Sequence, residues 1–138
     1  MVILSEYITK LTTPKNKPFD LLSNGVFFVI LCLNYNSLIM IVFNTTFSIH
    51  ESVTDRCLKY IQTQYIPNML DDGFVTPLLL KIHSESTDGY HNYAIQFYAS
   101  SLDFITKWKM EMENEYVHEV RSLFGEKALT FSTIMETI

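Results

Sequence analysis

The stretch MIVFNTTFSI, from Met40 to Ile49, alternates apolar and polar positions. Ile41, Phe43, Thr45, Phe47 and Ile49 share one face, and Val42, Asn44, Thr46 and Ser48 share the other. A period of two predicts a half-buried strand. The period then changes: Val53, Cys57, Leu58, Ile61 and Tyr65 recur at helical spacing, with Ser52 placed as an N-cap and Asp55 as the acidic member of a capping box. Pro67 should stop or kink this helix near Gln64 to Ile66, because the residue before proline avoids the α region. A last turn through Asn68, Met69 and Leu70 would restart with Pro67 at its first position, and Asp71-Asp72-Gly73 closes the element.

Phe74 to His83 reads as a second strand, at an edge or carrying a bulge, since Pro77 cannot donate to a ladder. Ser84 to Gly89 is a polar turn, and Tyr90 to Ala99 a third strand, so the two form a hairpin. Ser100 is placed to cap a second helix, with Asp103 three residues on and an apolar stripe of Leu102, Ile105, Trp108, Met112, Tyr116, Val120 and Leu123. Gly125 suits the αL residue that ends it. Lys127 to Thr137 is a fourth strand, with Leu129, Phe131, Thr133 and Met135 on one face and Thr130, Ser132, Ile134 and Glu136 on the other. The order βαββαβ predicts an α+β domain: a four-stranded antiparallel sheet of order 4-1-3-2 with two helices on one face.

Residues 1–39 follow none of these patterns. They carry Pro14, Pro18 and an apolar run from Val26 to Leu33. The stretch reads as an N-terminal extension, either a mis-assigned start upstream of a true Met40 or an unstructured or strand-forming segment. An anchor from Val26 to Phe43 is the alternative: the length just suffices to span a bilayer, but Asn34 and Asn36 fall mid-span. The domain is then residues 40–138.

Hydrophobic residues make up 48% and charged residues 18%, a globular balance. The net charge of −5 argues against nucleic-acid binding, which needs a basic surface. Cys32 and Cys57 make no disulfide framework and no CxxC, which points to a reducing, cytoplasmic setting. Four histidines without ligand spacing, and four scattered glycines, give neither a zinc signature nor a phosphate loop. No metal, cofactor or catalytic constellation is therefore assigned. Glu111, Glu113, Glu115 and Glu119 read as a solvated helix face.

The segments MIVFNTTFSIHESV, YIP at Tyr65–Pro67, YAIQFYA at Tyr93–Ala99 and LFGEKALTFSTIMETI at Leu123–Ile138 occur in an order and spacing that resembles the domain-of-unknown-function 4286 family of small bacterial proteins. The resemblance spans residues 40–138 and departs from the family in carrying Leu58 and Tyr60 where such sequences often show tryptophan. It implies a ferredoxin-like fold of the dimeric α/β-barrel class, in which subunits pair through their sheets. It implies no activity.

Large apolar residues assign one sheet face to the helices: Ile41, Phe43, Phe47, Tyr93, Ile95 and Phe97, with Leu129, Phe131 and Met135. The other face then carries Asn44, Thr46, Ser48, Asn92, Gln96 and Tyr98, joined from the last strand by Thr130, Ser132 and Glu136. Three readings of that second face stay open: simple solvent exposure, a homodimer interface, or a small-molecule pocket. In the last, Asn44, Thr46, Gln96 and Tyr98 would supply hydrogen bonds, and Glu136 would be the one titratable acid, fit for a general base if buried. A homodimeric binding module is the expected role, with a small cofactor-free enzyme acting in the sheet cavity as its rival.

Overall fold

The computed structural model describes residues 39–138. The readings of the stretch before Ile39 lie outside those residues. The first strand, β1 (Ile41–His50), is followed by a 3-10 turn and then by α1 (Thr54–Tyr60) and α2 (Ile66–Asp71). The hairpin β2 (Val75–Thr87) and β3 (Tyr90–Ala99) comes next, then α3 (Leu102–Glu111), α4 (Glu113–Phe124) and β4 (Ala128–Glu136). The sheet order is β2-β3-β1-β4, which from the other edge reads 4-1-3-2, and all three pairings are antiparallel. This is a ferredoxin-like α+β fold, with β1 and β3 central. Ile41 to Phe43 belong to β1, so a membrane helix through Phe43 is not formed. No helix among the described residues is long and apolar enough to cross a membrane.

Both helical units are more broken than their apolar stripes predict. Pro67 does not end the first one. Between α1 and α2 the chain widens into a π turn, Ile61–Tyr65, where the Ile66 N–H reaches back to the Ile61 carbonyl. A proline ring crowds the carbonyl four residues earlier, and a wider turn relieves that contact. Cys57, Tyr60, Ile61, Tyr65 and Met69 are thereby all buried. The second unit breaks at Met112 (φ −120°, ψ −30°). Beyond the break the buried stripe runs Tyr116, Val120 and Phe124, leaving Leu123 exposed; Leu102, at the start of α3, is exposed as well.

The caps also differ in detail. The His50 ring, not Ser52, accepts the first free N–H, that of Ser52, at 3.2 Å. Ser101, not Ser100, caps α3 through the Phe104 N–H at 3.1 Å. Gly125 has a positive φ of 60°, but its ψ of −136° lies far from αL. The hairpin is tighter than expected: β2 runs on to Thr87, leaving Asp88-Gly89 with φ of 56° and 78°, the signature of a type I′ turn.

The largest correction concerns β4. The register pairs Phe47 with Thr130, Thr45 with Ser132, Phe43 with Ile134 and Ile41 with Glu136. Cross-strand partners share a face, so Thr130, Ser132 and Glu136 lie on the helix side, while Leu129, Phe131 and Met135 lie on the open side. The small side chains of Ala128, Thr130 and Ser132 leave room beneath the helices for the Tyr65–Tyr116 ring pair, whose centroids are 5.5 Å apart. Leucine and phenylalanine there would overpack that layer.

The core lies between the sheet and the helices. Phe43, Phe74 and Trp108 meet at centroid distances of 5.1–5.3 Å, and Phe47 stands edge-on to Tyr65 at 5.1 Å. Such pairs add roughly 0.5–1.5 kcal/mol each beyond the area they bury.

Candidate functional site

The open sheet face has a banded composition. β2 contributes Val75, Leu78, Leu80 and Ile82, paired with alternate residues of β3. β4 contributes Leu129, Phe131 and Met135, and these seven apolar residues are exposed. Between the two bands, β1 and β3 set out Asn44, Thr46 and Ser48 beside Gln96, Ala94 and Asn92. None of the residues paired on this face from Val75 to Ile82, Val42 to Ser48, Asn92 to Tyr98 and Leu129 to Met135 is ionisable except Tyr98. All seven basic and thirteen acidic residues of 40–138 thus fall elsewhere.

Four of the five residues singled out from sequence do meet here. Asn44 stands opposite Gln96, Val42 opposite Tyr98, and Thr46 follows Asn44 on the same face. Asn44 donates through Nδ2 to Thr46 Oγ1 at 3.1 Å. It is only 8% exposed, and its Oδ1 is buried without a hydrogen-bond partner among the described residues. Glu136 does not join them: paired with Ile41, it projects on the helix side and is exposed. Among these paired residues the open face therefore has no carboxylate, and Glu136 is not placed there to act as a general base.

A second site lies on the helix side, where α3 and α4 cross β1 and β4. A cavity of about 120 Å³ is walled by the rings of Phe43, Tyr65, Trp108 and Tyr116. The Tyr65 hydroxyl donates to Thr45 Oγ1 at 2.8 Å. Asp72, in the turn after α2, fixes two of the rings from behind: its Oδ2 accepts from Trp108 Nε1 at 2.8 Å and from the Tyr116 hydroxyl at 2.6 Å. Burial, and for Tyr116 the bonded Asp72 carboxylate, push both tyrosine hydroxyls well above the usual phenol pKa, so they stay protonated donors.

The solvent side of this cavity carries a polar trio. Lys109 Nζ is 2.8 Å from Glu113 Oε1 and also donates to Ser132 Oγ, which in turn donates to Glu113. Glu113 thus departs from the solvated glutamate face expected of it, with its side chain only a quarter exposed. Its spacing from Lys109 was readable as an i,i+4 pair. That the pair leans onto the sheet was not, because it depends on the break at Met112 and on the facing of Ser132.

A family model described as Domain of unknown function (DUF4286) matches residues 40–138. The chain belongs to this family. No curated protein matches it. Among solved structures, a candidate antibiotic biosynthesis monooxygenase from Bacillus cereus is 14% identical, with 71% of this chain and 92% of that one covered and a TM-score of 0.45. A dimeric ferredoxin-like protein from an uncultured marine organism is 6% identical, with 73% and 97% covered and a TM-score of 0.45. A de novo designed protein, Foldit4, is 9% identical, with 73% and 100% covered and a TM-score of 0.44. Resemblances this distant say nothing of what the chain does.

The DUF4286 domain thus offers two surfaces of different chemistry. The open sheet face can bury apolar area and exchange neutral hydrogen bonds. The helix-side cavity combines aromatic walls, phenols whose protons are already given to Thr45 and Asp72, and one carboxylate already held by a cation.

Proposed function

We propose that this DUF4286 domain is a cytoplasmic homodimeric binding module whose two copies stack through their open sheet faces. The observation that carries this is the banding: apolar edge rows on β2 and β4, a neutral polar stripe between them, and, among those paired described residues, no carboxylate, ammonium or guanidinium. A two-fold axis in the plane of contact that runs along or across the strands sets apolar rows on apolar rows and the polar stripe on itself, so the face can be complementary to its own copy. Depletion of charge is also what distinguishes the centre of an interface from ordinary surface. The cytoplasmic setting rests on the sparse cysteines read from the sequence.

Sedimentation velocity at concentrations on the order of tens of micromolar, the range that detects weak interfaces, tests this. Wild type should sediment as a dimer. Phe131→Glu, which would bring a carboxylate into the apolar row, should yield monomer with an unchanged circular dichroism spectrum. A wild type that is monomeric throughout overturns the proposal.

The unpartnered Asn44 Oδ1 favours a second reading of the same face, in which Asn44, Thr46, Gln96 and Tyr98 hold a small ligand between the stacked sheets. Asn44→Leu removes that oxygen at similar volume. Dimer affinity that changes with this substitution points to a donor on the facing copy, whereas unchanged affinity favours a bound molecule.

A further inference from the structure

We propose that the helix-side cavity binds a small organic ammonium group, a primary or methylated amine, and that Lys109 is the internal cation holding its place. The cavity lies on the other side of the sheet from the open face, so this does not depend on how the chain assembles.

The shape fits such a group. About 120 Å³ approaches the roughly 150 Å³ of an engineered protein cavity that accepts benzene, so a head group of five or six heavy atoms has room. The walls are the faces and edges of Phe43, Tyr65, Trp108 and Tyr116, and aromatic rings attract cations through their quadrupoles. Glu113 is the one carboxylate among the described residues lining the cavity, and the burial of its neighbours strengthens its field there. An anionic ligand would meet that carboxylate head-on.

The protein already places a cation in this setting. Lys109 Nζ sits 5.8 Å from the Phe43 ring centroid while bonded to Glu113 at 2.8 Å. An ammonium between a carboxylate and a π face is therefore an arrangement this pocket accommodates. An ordinary i,i+4 pair on a helix points to solvent and contributes little. This one leans onto the sheet, bonds Ser132, and leaves the two side chains only 31% and 25% exposed. Lys109 is tethered and reaches Phe43 from one side, so the space toward Tyr65 and Tyr116 stays open to a second ammonium, or to one that displaces it from Glu113.

Trp108 is the only tryptophan of the chain and lines the cavity, so its fluorescence reports occupancy directly. The full chain is titrated with methylammonium chloride and with tetramethylammonium chloride, against sodium chloride at equal ionic strength. Broadening of the ligand methyl proton signals serves as a second readout. The expected result is a saturable change with at least one ammonium salt that sodium chloride does not produce. Lys109→Met should tighten binding at least threefold by removing the competitor. Glu113→Gln should weaken it at least tenfold, and Val117→Phe, at the exposed rim, should block it while leaving the carboxylate in place. Absence of saturable binding in both wild type and Lys109→Met overturns the proposal, as does Glu113→Gln binding as wild type does.

Discussion

The two faces of β1 start from the same alternation and end in opposite conditions. On the helix side, Phe43, Phe47 and Ile49 are sealed by helices, and Thr45 takes its hydrogen bond from Tyr65. On the open side, Asn44 and Thr46 bond to each other, and the apolar rows of β2 and β4 beside them face outward. One face is covered by its own chain's helices, and the other carries apolar rows that those helices do not reach. Alternation gives a strand two faces, but it does not say which one the chain can close. That shows in the neighbours: edge rows of leucine and phenylalanine with no charge among them are what the proposed contact would cover.

The strongest way to break this comparison is to truncate one phenylalanine on each side. Phe43 is fully buried and touches both Phe74 and Trp108. Phe43→Ala should cost about 3–5 kcal/mol in urea unfolding, from lost transfer energy and the cavity left behind. Phe131, 58% exposed on the open face, is its counterpart. Phe131→Ala should change unfolding by less than about 0.5 kcal/mol at concentrations low enough to hold the monomer. Equal losses at the two positions would mean that the open face is closed within a single chain.

High pH attacks the helix side selectively. Burial pushes the Cys57 thiol from 9.0 up to about 11, and burial also raises the hydroxyls of Tyr60, Tyr65 and Tyr116 beyond the usual phenol range. Each group holds its proton more tightly folded than unfolded. Its stabilisation is therefore complete below the unfolded pKa and is lost as pH rises through the folded one. Between pH 9 and 11 stability should fall, with Cys57 alone contributing up to about 1.4 kcal/mol per pH unit. Urea midpoints measured across that range should drop less steeply in Cys57→Ala than in wild type. Parallel slopes would show that the thiol is not held in the protonated form.

The sequence-readable part of the fold was its central part. β1 and β3 each carry large apolar residues on one parity and polar residues on the other, so their facing follows directly from the period. β4 does not: Leu129, Phe131 and Met135 on one parity compete with Ala128 and Ile134 on the other. Size decided that contest, because the layer under Tyr65 and Tyr116 takes alanine, threonine and serine more readily than phenylalanine. Of the candidate site, Asn44, Thr46, Gln96 and Tyr98 were legible because they sit on the two strands with unambiguous parity. Glu136 was misplaced with its strand. Glu113 and Ser132 were missed together, since their meeting needs both the facing of β4 and a helix break at Met112 that no glycine or proline announces.

The finest test compares hydrogen bonds rather than hydrophobic burial. The Tyr65 hydroxyl and Thr45 Oγ1 are 2.8 Å apart, both residues are buried, and the pair links the π turn to the central strand. Tyr65→Phe leaves Thr45 without its donor and should cost about 1–2 kcal/mol, and Thr45→Val should cost a similar amount by stranding the phenol. The double variant replaces both partners with apolar groups of similar shape, so its loss should fall well below the sum of the two. The Asn44–Thr46 bond on the open side gives the contrast: at 3.1 Å and only partly buried, it should yield a coupling energy smaller than that of the Tyr65–Thr45 cycle. If the two cycles return equal coupling, the open face is as dry as the core in solution, and stacking against a second copy is the condition that would make it so.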